Sequence, residues 1–166
     1  MKQYLFIFKF TMVSMMLFLT FSCEKSNSDH DFEDPNVLES NLLESSDLFA
    51  TSIKERDSEH VFEIVDIKRK NSTLQVKVKG GGEDENFRFI WDGQIQESYP
   101  MGIKLVLTYE VKNEDFDSDK EHMIPVNLQK IIENIGNIED FRFSIINGSK
   151  IQNKVLNPDG VVSDGI

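Results

Sequence analysis

Cysteine is almost absent from this chain of 166 residues, which contains only Cys23. A single cysteine cannot form a disulfide within the chain. It also cannot supply the paired thiolates of a structural zinc site. The folded part must therefore be held together by burial of apolar side chains, without covalent cross-links.

Basic residues are scarce relative to acidic ones. Lys and Arg number 18 against 29 Asp and Glu, so the formal net charge is −11. Cleavage before Cys23 would remove Lys2 and Lys9 and no acidic residue, which lowers the net charge by two, to −13. So acidic a chain repels phosphate backbones and anionic head groups. We therefore exclude nucleic acid as a partner, and also a basic peripheral contact with membranes.

A long hydrophobic run is missing as well. The uncharged stretch Phe10–Phe21 has 12 residues, whereas a membrane-spanning helix needs about 20. A basic start with Lys2 and Lys9, a short apolar middle and a small residue, Ser22, before the boundary are typical of a secretory signal peptide. The sequence therefore predicts a lipoprotein-type signal peptide over residues 1–22, with a transmembrane helix as the alternative.

The stretch LTFSC at the end of this run resembles the lipobox of bacterial lipoproteins. In that family the cysteine becomes the first mature residue and carries lipid on its sulfur and amino group. Thr20 and Phe21 replace the aliphatic and small residues of the commonest version, and SCEK after a Phe-rich run is more similar to lipoproteins of the Bacteroidota type. The resemblance implies lipidation of Cys23, palmitate being one such lipid, since two or more acyl chains give stable anchoring. The alternative is an incidental small hydrophobic residue.

This resemblance also implies a location. A lipid-anchored protein of this type has the membrane as a partner and lies in the cell envelope, at the outer membrane. Whether it faces the periplasm or the cell surface stays open at this point.

Residues 23–57 are predicted to be the lipidated cysteine and an acidic tether. The segment is rich in Ser, Asn, Asp and Glu, contains Pro35 and has few aromatic residues, a composition that disfavours a core. Acidic residues close behind Cys23 resemble the surface-export signals of Bacteroidota lipoproteins, or act only as a spacer. Residues 37–49 also show the apolar spacing of a short amphipathic helix. The folded domain is expected over 58–166.

From residue 58 onward apolar and polar residues alternate, as in strands with one buried face. Six or seven such strands over about 100 residues predict an all-β fold. We expect an antiparallel β-sandwich, immunoglobulin-like, with one short helix. Its turns are predicted at 80–86, 99–102, 147–148 and 157–160. The predicted inward-facing residues are Val61, Val65 and Ile67; Leu74, Val76 and Val78; Phe87, Phe89 and Trp91; Leu105, Leu107, Tyr109 and Val111; and Phe141, Phe143 and Ile145.

The predicted helix lies in 126–136, VNLQKIIENIG. Its apolar residues recur at helical spacing, Asn127 is suited to the N-cap, and Gly136 is suited to the C-terminal end. The apolar residues are Leu128, Ile131, Ile132 and Ile135.

Residues 86–110 carry a phrase in which Trp91-Asp92-Gly93 is followed by Glu97-Ser98-Tyr99-Pro100 and an alternating strand. In this phrase the chain resembles an uncharacterised group of Bacteroidota lipoproteins. Members of that group often carry paired cysteines near the glycine-rich loop and after the next strand. This chain lacks them, so a role tied to those cysteines does not transfer. The resemblance implies class and location, and no activity.

The same phrase allows two interpretations. In the architectural one, Trp91 closes a core strand, Asp92 and Gly93 form a turn, and Pro100 starts the next strand at a sheet edge. In the other, Trp91, Asp92, Glu97 and Tyr99 contact a ligand.

An acidic stretch at 113–122 contains Asp115, Asp117 and Asp119 at alternate positions. An EF-hand starting at Asp115 would need Gly and Glu where Lys120 and Val126 stand, so that motif is excluded. A looser calcium site on these three carboxylates is one hypothesis, and an exposed acidic hairpin loop is the other. No other cofactor is implied.

We expect a binding or interaction module rather than an enzyme, with an envelope protein or a glycan as partner. Glycan hydrolysis requires two carboxyl groups across a cleft, and Asp92 and Glu97 do not stand out among 29 acidic residues. No Ser or Cys nucleophile motif accompanies His60 or His122. The alternatives are a small envelope enzyme with a carboxylate pair and a calcium-stabilised adhesion-type domain.

Overall fold

The computed structural model describes residues 35–56, 60–111 and 116–165. The predicted signal peptide, Cys23 and Asp115 lie outside the described residues. No helix in the described part of the chain is long and apolar enough to cross a membrane.

The described residues form ten strands, two α-helices and two single turns of 3-10 helix. The strands are β1 (Asn36–Glu39), β2 (Leu42–Glu44), β3 (Glu63–Lys70), β4 (Thr73–Gly81), β5 (Phe87–Gln96), β6 (Met101–Tyr109), β7 (Asp117–Asn127), β8 (Phe141–Asn147), β9 (Asn153–Leu156) and β10 (Val162–Asp164). The helices are α1 (Ser46–Lys54) and α2 (Gln129–Ile132), and the 3-10 turns are Asp84–Asn86 and Ile138–Asp140.

Two sheets pack face to face, which confirms the sandwich. One has seven strands in the order β1-β2-β5-β6-β8-β9-β10, and the other has three in the order β3-β4-β7. Two neighbours in the larger sheet, β2 with β5 and β6 with β8, run parallel, unlike the antiparallel pairs expected. Parallel neighbours need a long crossover. Here α1, β3 and β4 lie between the first pair in the chain, and β7 and α2 lie between the second.

The core lies between the two sheets and follows the predicted alternation in β4, β5, β6 and β8. Phe87, Phe89, Phe141 and Phe143 are completely buried in it, and each aromatic ring contributes about 150–250 Å² of buried surface. Val111 is an exception to the predicted inward set, being 42% exposed beyond the end of β6.

Strand β3 reverses part of the prediction for its buried face. Val61 and Val65 are 43% and 39% exposed, whereas Phe62 and Ile64 are buried. The register between β3 and β4 shifts between Ile64 and Asp66. Such a bulge adds one residue to a strand and exchanges its two faces, so Ile67 returns to the core. Unbroken alternation from Val61 to Ile67 was therefore the wrong assumption.

Helix α2 occupies part of the predicted helical segment. Leu128, Ile131 and Ile132 are buried as expected, but Ile135 is 44% exposed because the helix ends at Ile132. The Asn127 side-chain oxygen accepts a hydrogen bond from the Gln129 N–H at 2.9 Å.

The segment predicted to be a tether is folded from Asn36 onward, so the domain begins about twenty residues before the predicted boundary at residue 58. Leu42 is completely buried in the core, and β2 pairs with β5. Ser45 then caps α1 by accepting a hydrogen bond from the Leu48 N–H at 3.2 Å. The polar composition of residues 36–54 is misleading because their few apolar side chains pack on a sheet formed by strands later in the chain.

Helix α1 covers half of the outer face of the seven-stranded sheet. Phe49 and Ile53 pack there on Ile90, Val106 and Ile146, which form a second, smaller hydrophobic cluster. This cluster explains why apolar residues stand at outward positions of β5, β6 and β8.

Candidate functional site

Three connections meet at one end of the seven-stranded sheet. They are the β5–β6 connection, the 3-10 turn before β8, and the β9–β10 turn. The parallel pairing places Met101 beside Phe141, so β6 and β8 start together, and antiparallel β9 ends beside them. Loops carried by a rigid sandwich are common positions for binding residues.

These connections enclose an open cleft of about 610 Å³, which we call the loop-end cleft. Tyr99 stands at its rim with its side chain fully exposed. The described lining residues include three carboxylates and one side-chain amide, and no cation. They are Tyr99, Pro100, Met101, Glu139, Asp140, Asn157, Pro158 and Asp159.

Arg69, near the end of β3, supports the loop-end cleft from below. Its guanidinium donates to the carbonyl oxygens of Asn157 at 3.3 Å and of Pro158 and Phe141 at 3.4 Å. The same group lies 5.7 Å from the centre of the Phe143 ring, within cation–π range. Arg69 therefore ties the three-stranded sheet to the β9–β10 turn that lines the cleft and to the first residue of β8.

The two turns at the rim are also held by local hydrogen bonds. Ser98 Oγ donates to the Pro100 carbonyl oxygen at 2.7 Å, and the Tyr99-Pro100 peptide bond is cis. In the β9–β10 turn, Asp159 Oδ1 accepts from the Val161 N–H at 3.0 Å. Gly160 there has φ of +83°, a conformation that glycine adopts without strain.

Of the four predicted ligand-contacting residues, Tyr99 alone lines the loop-end cleft. The Trp91 indole N–H donates to the Gln94 carbonyl oxygen at 3.0 Å. Asp92 Oδ1 accepts from the Gln94 N–H at 3.0 Å, and Glu97 is exposed in the β5–β6 connection. Trp91 and Asp92 thus hydrogen-bond to the backbone of their own strand, and ligand contact by these four residues stays a prediction.

The predicted turn at Asp92 and Gly93 is a bulge inside β5. The strand continues to Gln96, and its register with β6 shifts between Trp91 and Ile95. Gly93 has φ of +79°, which is typical of the glycine in such a bulge.

The sequence did not identify Glu139, Asp140, Asn157 or Asp159 as site residues. The segment around Asn157 and Asp159 was predicted only as a turn, and the other two residues precede a strand. Parallel pairing of β6 with β8 brings Glu139 and Asp140 to Tyr99, and antiparallel pairing of β8 with β9 brings the β9–β10 turn there. No local pattern could have grouped these residues.

His122 and Asp84 form a second polar pair, which links β7 to the 3-10 turn before β5. Their Nδ1 and Oδ1 atoms are 2.5 Å apart, with the imidazole 1% and the carboxylate 64% exposed. His122 Nε2 is buried and has no hydrogen-bond partner among the described residues. The Phe87 ring lies 5.5 Å away, so the imidazole faces the core and joins two elements.

The acidic stretch proposed for calcium is largely a strand rather than a hairpin loop. Asp117 Oδ1 accepts from the Asp119 N–H at 2.8 Å, and Asp119 pairs with Lys79 at 2.8 Å. Within the described part of the chain, no cluster of three or more His, Cys, Asp or Glu side chains could hold a metal ion. Asp115 lies outside the described residues, so the calcium hypothesis stays a prediction.

The hydrogen bond and the charge of Lys79 lower the pKa of Asp119 below its usual value of 3.8, and the same contact raises the pKa of Lys79 above 10.5. The charge of Asp119 is thus already balanced by a lysine. A cation would have to compete with that lysine for the carboxylate.

Comparison with known proteins found no match: no family model fits the sequence, and neither curated proteins nor solved structures resemble it significantly.

Proposed function

We propose that this protein is an outer-membrane lipoprotein, anchored through lipid on Cys23, whose sandwich binds a glycan at the loop-end cleft. The anchor is supported by the basic start, the 12-residue apolar run and the cysteine at its end. The resemblance to Bacteroidota lipoproteins supports the location.

The observation that carries the binding proposal is the surface around Tyr99. Its ring is fully exposed at the rim of a cleft lined by Asn157 and three carboxylates. Tyr combines a large apolar face with a polar tip, so it can stack on one face of a sugar ring. Carboxylate oxygens accept hydrogen bonds, and an amide both donates and accepts, which suits the hydroxyl groups at the rim of a sugar.

Preorganisation also supports binding at this end. Arg69 and the bonds within the two rim turns hold the backbone of the cleft in place. A ligand would then bind with little loss of loop conformational entropy.

The cleft test uses the full chain in detergent solution and an array of neutral and acidic oligosaccharides. We expect a defined subset of glycans to bind, and Tyr99→Ala to weaken binding about fivefold or more, because loss of an aromatic ring that stacks on a ligand ring costs about 1–3 kcal/mol at nucleic-acid-binding sites. Ile151→Ala is the control, since Ile151 is 91% exposed and does not line the cleft. Loss in both variants, or binding of no glycan, would contradict the proposal.

The same array separates binding from hydrolysis. Glu139, Asp140 and Asp159 surround the cleft, which makes a carboxylate pair the second candidate activity. Release of shorter saccharides that stops in Asp159→Asn would favour an enzyme, and intact bound glycan favours a binding module.

The anchor test is mass spectrometry of the processed chain combined with membrane fractionation. We expect acyl chains on Cys23, and release of Cys23→Ala from the membrane fraction once the signal peptide is removed. An unmodified thiol at Cys23 would contradict the anchor.

A further inference from the structure

The half of the outer sheet face that α1 leaves uncovered contains a groove of about 420 Å³. It runs across β6, β8, β9 and β10, and we call it the outer groove. Ile146 and Val155 supply its apolar floor, and Lys104, Arg142 and Ser144 supply polar groups. All but Ile146 are half-buried.

The two cations lie side by side. Strands β6 and β8 are parallel, with Gly102 opposite Arg142 and Lys104 opposite Ser144. Side chains two residues apart on a strand share a face, so Lys104 and Arg142 are diagonal neighbours on the outer one. Neither makes a hydrogen bond or an ion pair within the described part of the chain.

This arrangement is unexpected for a protein with 29 acidic and 18 basic residues. On strand β4 of the other sheet, both lysines pair with carboxylates, as Lys77 does with Glu121 at 2.8 Å. Asp164 also lines the outer groove, but its Oδ1 forms an ion pair with the Lys154 ammonium group at 2.7 Å. Two neighbouring like charges that have no ion-pair partner among the described residues repel each other, and a bound anion would reduce that repulsion.

We infer that the outer groove binds an oxyanion group of a ligand: a carboxylate, a sulfate or a phosphate. Arg142 presents a planar fork that matches such a group in bidentate fashion, and Lys104 adds a second positive charge. The Ser144 hydroxyl can donate a further hydrogen bond. The apolar floor contacts the uncharged part of the ligand.

This site is separate from the loop-end cleft, although Asn157 lines both. Anion binding uses Lys104 and Arg142, and glycan stacking uses Tyr99. Tyr99→Ala should therefore leave anion binding unchanged, so that either proposal can fail without the other.

The test is a titration of the full chain in detergent with glucuronate, sulfate and inorganic phosphate, followed by calorimetry or by chemical shifts of the β6 and β8 amides. Because the cations are partly solvated, we expect dissociation constants on the order of 1–10 mM, weakening as salt is added. Glucose is the uncharged control for glucuronate and should not shift these amides.

Variants localise the binding. Arg142→Gln and Lys104→Gln should each weaken anion binding at least about fivefold, because each removes one charge-assisted contact. Lys70→Gln removes the same charge from an exposed position at the end of β3 and should leave binding within about twofold. Circular dichroism establishes that all three variants are folded.

Binding of glucuronate alone would support a carboxylate-bearing ligand, and binding of sulfate or phosphate would support a ligand with that group. Absence of saturable binding by all three anions, or an equal loss in Lys70→Gln, would overturn the inference.

Discussion

The two sheets of the sandwich differ in whether the charged side chains on their outer faces form ion pairs. On the three-stranded sheet, Lys79 pairs with Asp119 at 2.8 Å and Lys77 pairs with Glu121 at the same distance. On the seven-stranded sheet, Lys104 and Arg142 stand beside each other without a carboxylate partner in the described part of the chain.

The difference follows from which strands become neighbours. Strand β4 carries lysines on its outer face and β7 carries acids, so antiparallel pairing brings opposite charges together. Strands β6 and β8 each bring a cation to the same face. The β4 lysines are thus paired across strands, whereas Lys104 and Arg142 have no ion-pair partner in the described part of the chain.

The largest effect is expected on the half of the larger sheet that α1 covers. Phe49→Ala should lower the free energy of unfolding by about 3 kcal/mol, because it removes the ring that seals the outer cluster. Chemical denaturation measures this. Leu48→Ala, on the same helix but 37% exposed, is the control and should cost about 1 kcal/mol or less. Equal losses in the two variants would contradict the role of Phe49 in this cluster.

The link between the sheets should have the next largest effect. Buried Asn147 donates from Nδ2 to the Phe62 carbonyl oxygen at 2.8 Å and to Gln152 Oε1 at 3.0 Å. Asn147→Leu removes these bonds and also leaves the buried Ser149 N–H, which donates to Asn147 Oδ1 at 2.8 Å, without its acceptor. It should cost about 1–3 kcal/mol of unfolding free energy. The exposed Asn137 provides the control Asn137→Leu, and a similar loss there would contradict this role.

Removal of both groove cations should barely affect stability. The double variant Lys104→Gln and Arg142→Gln should change the unfolding free energy by less than about 0.5 kcal/mol, since neither side chain has an ion-pair partner among the described residues. A gain would fit relief of like-charge repulsion. A loss above 1 kcal/mol would show that these cations stabilise the fold and are not reserved for a ligand.

The smallest effect is expected for the pair on the other sheet, and it should depend on pH. The hydrogen bond and charge of Lys79 lower the pKa of Asp119. The carboxylate therefore contributes to stability at any pH above its usual pKa, and this contribution is lost as the pH falls through the lowered pKa. The pKa of Lys79 is raised. The ammonium group therefore contributes to stability at any pH below its usual pKa, and this contribution is lost as the pH rises through the raised pKa.

Lys79→Gln should therefore lower the melting temperature slightly near pH 7, and this difference should vanish in strong acid. The pair is exposed, so the effect is small. Thermal melts across the acid range measure it, with Lys70→Gln as the control. A difference that persists after Asp119 is protonated would rule out the ion pair as its cause.

Prediction from the sequence was most successful for strands that have one face buried and the other exposed along their whole length, without a bulge. In β4, Leu74, Val76 and Val78 are buried as the alternation indicates. In β3 a bulge, which leaves no mark in the composition, moved Val65 outward. Strand β7 was missed because Asp117 and Asp119, at its start, were interpreted as a loop.

The sequence by itself determined the alternating strands, the absence of disulfides and the excess of acid, because each depends on residue types and a two-residue period. Tertiary structure decided that residues 36–54 belong to the domain, that Tyr99 meets the carboxylates at the loop-end cleft, and that Lys104 lies beside Arg142. These three features arise from pairing between segments far apart in the chain. The free energy of that pairing lies in long-range burial and backbone hydrogen bonds, which no short window of sequence contains.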